Sequence, residues 1–139
     1  MRELTIIFFI ILALPLSSCK TTTNSRTTAE DWTKLGSRSN GDTFHVKFST
    51  VKKNKNFIKF ELLQNNLQRQ KNGAMSIVAK VDGDCGGLRM RVTELTNYKN
   101  PMGDGVINVL GPFDEEASPW IDLPSSSYQG EIIKEVCNH

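Results

Sequence analysis

The stretch 81–92, VDGDCGGLRMRV, contains the two features on which the fold depends. Its part rich in Asp and Gly, from Asp82 to Gly87, predicts a turn. After the turn, apolar residues at positions 88, 90 and 92 alternate with Arg89 and Arg91, as in a strand with one buried face. The stretch therefore predicts an antiparallel hairpin with Cys85 in its turn.

Alternation of apolar and polar residues recurs on the N-terminal side of this hairpin. It is present in the segments 44–48, 57–63 and 75–81. The segments between them, KKNKN at 52–56 and the polar run at 64–72, predict a turn and a loop. Segments of this length and spacing indicate antiparallel strands. A change of phase between Val92 and Leu95 suggests a β-bulge in the strand that follows the hairpin turn.

The C-terminal segment changes to a helical period. A capping-box spacing, Ser-x-x-Gln, begins at Ser126, and four apolar residues then fall on one helical face: Ile132, Ile133, Val136 and Cys137. A helix this short is only marginally stable in isolation, so burial of its apolar face against the sheet would stabilise it. We therefore expect an α+β domain, in which one C-terminal helix packs on an antiparallel sheet.

The N-terminal segment predicts export and lipid attachment. The uncharged run 4–16 is shorter than the roughly 20 apolar residues that a transmembrane helix needs, but it suits the apolar region of a signal peptide. It ends in LSSC at 16–19, which resembles the bacterial lipobox, whose cysteine thiol receives diacylglycerol. We predict a signal peptide over 1–18, a lipidated Cys19 with a flexible tether over 19–30, and a domain over 31–139. The alternative is an ordinary secretory signal with an incidental cysteine.

The other two cysteines are expected to form a disulfide. Once lipid occupies Cys19, Cys85 and Cys137 remain, and an oxidising compartment favours their pairing. Closing a loop of about 50 residues would stabilise the fold by roughly 4 kcal/mol in the chain-entropy model. A zinc site is the weaker alternative, because these cysteines and the two histidines, His45 and His139, match no zinc-ligand spacing.

The sequence contains no motif of a known enzyme class. It has no Gly-rich phosphate loop, no H-E-x-x-H and no G-x-S-x-G. We therefore predict a protein that is not an enzyme, with no catalytic residue, no metal site and no cofactor. His45 is expected on the solvated sheet face, and the methionines at 75, 90 and 102 are expected in the core rather than on haem or copper. A net charge of +2 gives no argument for a nucleic-acid partner.

Basic side chains are predicted to share one face of the sheet. If the strand phases hold, this face carries five cations against one acid, Glu61, and a basic hairpin tip at 52–55 adjoins it. One interpretation is the ordinary solvated face of an antiparallel sheet. The other is a surface for an anionic partner. The candidate ligand-binding residues are Lys47, Lys59, Lys80, Arg89 and Arg91.

Several short motifs along the chain resemble one family, the surface-adhesin protein E-like domain of Gram-negative lipoproteins. The matching pieces are WTKLG at 32–36, VDGDC at 81–85, RMR at 89–91, NY at 97–98, MGDG at 102–105, Trp120, PSS at 124–126 and IIKEVC at 132–137. The resemblance implies a sheet of about six antiparallel strands, with one disulfide tying the C-terminal helix to it. It also implies an adhesin, because the best-known member binds host extracellular-matrix and serum proteins and has been associated with haem.

Two functions are therefore expected as alternatives. The first is a binding module on the outer membrane, anchored by lipid on Cys19, for a host matrix or serum protein or for an anionic glycan or lipopolysaccharide. The second is a periplasm-facing envelope lipoprotein with a structural or subunit-binding role. Lys20, which stands where aspartate typically retains such proteins in the inner membrane, favours the outer membrane. Exposed edge strands would also allow a homodimer.

Overall fold

The computed structural model describes residues 31–139 of the chain. This part contains eight strands and one α-helix. The predicted signal peptide, Cys19 and the tether over 19–30 lie outside the described residues. No helix within residues 31–139 has the length and apolar character that crossing a membrane requires. The elements are β1 (Thr33–Ser37), β2 (Thr43–Val46), β3 (Lys52–Asn54), β4 (Phe57–Asn65), β5 (Ser76–Asp84), β6 (Arg89–Asn100), β7 (Asp104–Leu110), β8 (Ile121–Asp122) and α1 (Tyr128–Asn138).

Six of the strands form one antiparallel sheet in the order β1-β2-β4-β5-β6-β7. The predicted α+β class, with about six antiparallel strands and a C-terminal helix, is confirmed. Two short strands are added beside this path, since β3 pairs with β4 and β8 pairs with β6. The prediction of a turn over 52–56 is wrong for its first three residues, because strand pairing uses backbone groups and accepts polar side chains. The turn narrows to Lys55 and Asn56, with Lys55 in the left-handed region at φ 55°.

The turn predicted over 82–87 is also misplaced. Strand β5 continues through Asp84, and the turn follows it. Gly83 is a packing position rather than a turn residue, because a Cβ there would lie 2.8 Å from Ile58 Cγ1 and 3.1 Å from Ile133 Cδ1. The glycine thus lets α1 approach the sheet closely, and Asp84 forms the turn by accepting hydrogen bonds from the N–H groups of the next two glycines, both at 3.0 Å.

Helix α1 packs across one face of the sheet, here called the helix face. Apolar residues of β2, β4 and β5 meet the predicted helical stripe in one buried cluster: Phe44, Val46, Ile58, Phe60, Ala79, Val81, Ile132, Ile133 and Val136. The predicted disulfide is present, and it joins Cys85 to Cys137 with a Cα–Cα distance of 5.9 Å. The covalent link therefore ties the last turn of the helix to the β5–β6 turn.

The helix begins one residue later than the predicted capping box. Ser127, not Ser126, is the N-cap, and its Oγ accepts a hydrogen bond from the N–H of Gly130 at 3.0 Å. A Cβ at Gly130 would lie 2.4 Å from the carbonyl oxygen of Pro124, so glycine allows the chain to turn tightly into the helix. The capping box is replaced by a single serine cap.

The opposite face, here called the open face, is covered at one end. A 3-10 turn over Pro101–Gly103 folds onto it, where Ser76 Oγ donates to the carbonyl of Asn100 at 2.6 Å and accepts from the N–H of Gly103 at 3.0 Å. Leu63 and Ser76 are fully buried at this covered end. The rest of the open face carries charged side chains, and no helix within residues 31–139 covers it.

Candidate ligand-binding face

Strand register places the five candidate basic residues on the open face. Directly paired residues of antiparallel strands point to the same side, and Lys59 pairs with Asp82, which pairs with Arg91. Glu61 on the same face of β4 pairs with Lys80, and the N–H of Lys47 donates to the carbonyl of Glu61. At the end of β5, Asp84 pairs with Arg89. The residues brought together are Lys47, Lys59, Lys80, Arg89 and Arg91. Their role in ligand binding stays a prediction.

A β-bulge in β6 preserves this arrangement, as the phase change in the sequence suggested. Lys80 pairs with Glu94 whereas Val81 pairs with Val92, so Thr93 has no partner on β5. Without the extra residue, the two halves of β6 would present opposite phases. The bulge therefore keeps Arg91 and Glu94 on the same face.

The expected excess of positive charge is wrong. Each of the five cations lies within ion-pair distance of a carboxylate, and only Glu61 had been counted among the acids. The pairs are Lys47–Asp31 at 3.3 Å, Lys59–Asp82 at 3.5 Å, Lys80–Glu94 at 2.8 Å, Arg89–Asp84 at 2.6 Å and Arg91–Asp82 at 3.1 Å. Asp82 and Asp84 were missed because they had been assigned to a turn. The open face is thus a mixed-charge surface close to neutrality.

Asp82 holds the centre of this network. It is buried and contacts two cations, Lys59 through Oδ1 and Arg91 through Oδ2. The Arg91 side chain is only 17 % exposed and also reaches Glu115 at 3.7 Å. A guanidinium held between two carboxylates has little freedom to turn outward, so Arg91 shapes the face.

The ion pair between Asp84 and Arg89 is linked by hydrogen bonds to the β5–β6 turn. Asp84 accepts from Arg89 Nη2 at 2.6 Å and from the turn N–H groups. The hydrogen bond from Arg89, followed by that from Gly87, lowers the pKa of the Asp84 carboxyl. The hydrogen bond to Glu94 likewise raises the pKa of Lys80. These groups therefore stay ionised over the physiological range.

The expectation that His45 lies in solvent is wrong. The side chain is buried because β2 pairing sets His45 opposite the buried Leu63, toward the covered end of the open face. Burial, and then the charge of Lys34, lowers the pKa of His45. Its Nδ1 has no hydrogen-bond partner among residues 31–139. His45 is therefore a neutral, enclosed side chain that a ligand on the surface does not reach.

Two aromatic side chains at the end of the face were missed by sequence reasoning. Trp120 immediately precedes β8, which pairs with the start of β6, and its ring lies 5.5 Å from the guanidinium carbon of Arg89 and 5.6 Å from that of Arg91. Phe57 is 50 % exposed, and its ring centroid is 6.1 Å from that of Trp120. A single tryptophan in a polar segment has no periodicity to reveal it. The available signals were its place among the motifs that carry the family resemblance and its bulk among small and acidic neighbours.

Three adjoining concavities follow the open face and are here called the trough. The first, of about 430 Å³, lies between Phe57 and Trp120. The second, of about 510 Å³, shares Lys52, Lys59 and Asp82 with the first. The third, of about 280 Å³, shares Glu61 and Lys80 with the second and ends at Trp32, Tyr98 and Met102. The trough thus has aromatic side chains at both ends and paired charges between them.

The edge strand β7 is a separate exposed feature. All seven of its residues are exposed, and its large apolar side chains are Val106, Ile107, Val109 and Leu110. A long apolar edge of this kind is a site for pairing with another strand. The homodimer stays a prediction.

Possible metal ligands can be located in the described part of the chain. Residues 31–139 contain no cluster of three His, Cys, Asp or Glu side chains placed to hold a metal ion. Met102, one of the methionines considered for haem or copper, accepts a hydrogen bond from Asn65 Nδ2 at 2.9 Å.

Comparison with known proteins identifies the sequence family and supports the fold. The family model described as surface-adhesin protein E matches residues 32–138. Crystal form II of Haemophilus influenzae protein E has a TM-score of 0.60 at 12 % identity, over 80 % of this chain and 90 % of that chain. Protein E from non-typeable H. influenzae has a TM-score of 0.56 at 12 % identity, over 93 % and 83 %. No curated protein sequence matches the chain. At these identities the structural similarity shows the fold alone.

Proposed function

This chain belongs to the surface-adhesin protein E family, and we propose that it is a lipid-anchored outer-membrane binding module that holds an extracellular ligand on its open face. The anchor is the lipid on Cys19. The tether over 19–30 would reach about 40 Å if fully extended, which is enough to hold the domain clear of the membrane. The ligand classes remain a host matrix or serum protein, or an anionic glycan such as lipopolysaccharide.

The observation that carries the proposal is that only one of the two sheet faces is covered by the helix. Helix α1 covers one face with a buried apolar cluster, whereas the other keeps long polar side chains in solvent. Lys59 and Lys80 have side-chain exposures of 72 % and 54 %. Binding surfaces are expected where a rigid scaffold presents accessible polar groups beside aromatic ones.

The paired charges support a division of roles among the candidate ligand-binding residues. The lysine ends of both pairs are exposed, and exposed ion pairs contribute only about 0–1 kcal/mol. Lys59 and Lys80 can therefore turn toward polar groups of a ligand at small cost, while Asp82 keeps its contact with Arg91. Arg91 is enclosed by two carboxylates and would lose more. We therefore assign ligand contact to the two lysines and a positioning role to Arg91.

A second candidate function rests on β7. Its exposed apolar edge favours pairing with a subunit or an envelope partner, as a periplasm-facing lipoprotein would require. Protease treatment of intact cells separates the two functions. A surface adhesin is removed by the protease, and an inward-facing lipoprotein is spared.

Binding to an array of host matrix proteins, serum proteins, sulfated glycans and lipopolysaccharide tests the proposal. Residues 26–139 are compared with the variant Lys59→Gln/Lys80→Gln and with a matched control, Lys71→Gln/Lys99→Gln, which removes the same charge outside the trough. We expect saturable binding at physiological salt that the first variant weakens and the control retains. Equal binding by both variants, or no binding to any member of the array, contradicts an open-face binding module.

A further inference from the structure

We propose that the trough binds an oligosaccharide chain through its sugar hydroxyls and ring faces, with one pyranose ring stacked on Trp120. The inference rests on the proposed function of the open face, and it narrows the glycan ligand of that proposal to a sugar chain recognised through groups other than negative charges. It commits to a sugar chain that needs no negative charge.

The aromatic end of the trough supplies the stacking surface. Phe57 and Trp120 form an open angle, with 57° between their ring planes, around the first concavity. The two nearby guanidiniums, Arg89 and Arg91, hold the tryptophan ring by cation–π contacts. The negative face of a fixed aromatic ring complements the weakly positive C–H groups of a sugar ring. Phe57 is exposed and Trp120 is half-buried, and both line the same concavity; aromatic side chains gathered in a concavity, rather than scattered on the surface, mark a binding site.

The charged middle of the trough supplies hydrogen bonds of both signs. Each hydroxyl of a sugar is a donor and an acceptor. The ammonium groups of Lys59 and Lys80 each have three N–H donors, and their ion pairs do not use all of them. Carboxylate acceptors, Asp82, Glu61 and Glu94, line the same concavities as these donors. Such a surface satisfies a chain of hydroxyl groups in either orientation.

The same charges argue against a polyanion as the preferred ligand. A polyanion would approach the lysines and the carboxylates together, so its attraction to one group is largely cancelled by repulsion from the other. A neutral chain incurs no such repulsion. We therefore expect binding that depends little on salt, since screening acts on net charges.

The length of the trough indicates a chain rather than a single sugar. Phe57 and Glu61 are on the open face of β4, and four residues of strand separate them by about 14 Å. The third concavity continues past Glu61 to Trp32 and Tyr98. Affinity should therefore rise with the number of sugar residues until the trough is filled.

Titration of the full chain in detergent with defined sugars tests the inference. The probes are cello-, chito- and manno-oligosaccharides of increasing length, with heparin oligosaccharides as the charged comparison. The variants are Trp120→Ala, Trp120→Phe and, as a control, Leu67→Ala, which removes an exposed apolar side chain outside the trough. Circular dichroism and the intact disulfide verify that each variant is folded.

We expect at least one neutral series to bind with an affinity that grows with length and changes less than about threefold between low and high salt. Trp120→Ala should weaken it about tenfold or more, Trp120→Phe less, and Leu67→Ala not at all. Binding of heparin alone with loss at high salt, equal binding by the Trp120→Ala variant, or no sugar binding overturns the inference. If a host protein still binds through Lys59 and Lys80 in those cases, the proposed function stands without it.

Discussion

Removal of the disulfide should cost this domain a large part of its stability. The perturbation is the double variant Cys85→Ser/Cys137→Ser, which leaves both side chains small and close to their original volume. The bond joins residues separated by 52 positions. In the chain-entropy model, a loop of this length lowers the entropy of the unfolded chain by about 14 cal/mol/K, which corresponds to about 4 kcal/mol at 25 °C.

Urea unfolding, followed by far-ultraviolet circular dichroism, measures this loss. A slope of about 2 kcal/mol per molar urea converts the expected loss into a midpoint lowered by about 2 M. Reduction of the wild-type protein should give the same midpoint as the double variant. A matched control is Ser125→Ala, a small change near the start of α1 that leaves the bond intact.

A loss below about 1 kcal/mol would refute the entropic reasoning. It would mean that the apolar residues of α1, Ile132, Ile133 and Val136, still cluster with those of the strands in the unfolded ensemble. The chain without the bond would then already be restricted, and the bond would remove little further entropy. A selective loss of helix signal with the sheet retained would instead show that the bond stabilises α1 locally. The chain-entropy model predicts one cooperative transition at lower urea.

Three other changes test separate parts of the structure. Gly83→Val should destabilise the fold by about 1–3 kcal/mol in thermal unfolding, because its side chain meets Ile133 across the core, and an unchanged midpoint would contradict the packing described. The free energy of unfolding should fall as the pH drops below about 6.5, the pKa of an ordinary histidine. Burial lowers the pKa of His45, so the unfolded state binds more protons than the folded state in this range. His45→Gln should flatten this part of the pH profile, and an unaltered profile would exclude His45 as its source. Cys19→Ser should move the protein from the membrane fraction to the soluble fraction after cell lysis, and retention in the membrane would contradict lipid anchoring.

Much of the fold could be predicted because apolar alternation is intact in its central strands. The segment 57–63 became β4, and the helical stripe at 132–136 became the face of α1 that packs on the sheet. The end of β5 could not be predicted, because Gly83 looks like a turn residue until the neighbouring helix is in place. Local sequence shows backbone preference, whereas close packing between distant elements appears only in three dimensions.

The sequence was sufficient to predict the cations of the candidate site but not the carboxylates that balance their charge. Strand phase was sufficient to group Lys59 with Arg91, since alternate residues share a face. Their common carboxylate, Asp82, depended on where the adjacent strand ended, so an error in one boundary altered the charge of the whole face. Trp120 escaped prediction because strand pairing of the next two residues, not any local pattern, brings it over the arginines.

The disulfide also determines how this domain would carry mechanical load. A pull applied from the N-terminal side of residue 31 enters at β1, an edge strand held by its pairing with β2. The backbone from Cys85 to Cys137 is closed into a covalent loop that contains β6, β7, β8 and α1, so extension of the chain ends cannot lengthen it. Tension would therefore peel β1 and β2 first and leave the looped half of the trough, with its tryptophan and arginines, intact. A domain built in this way would unfold first on its N-terminal side, while the part of the trough proposed to bind a ligand stays folded.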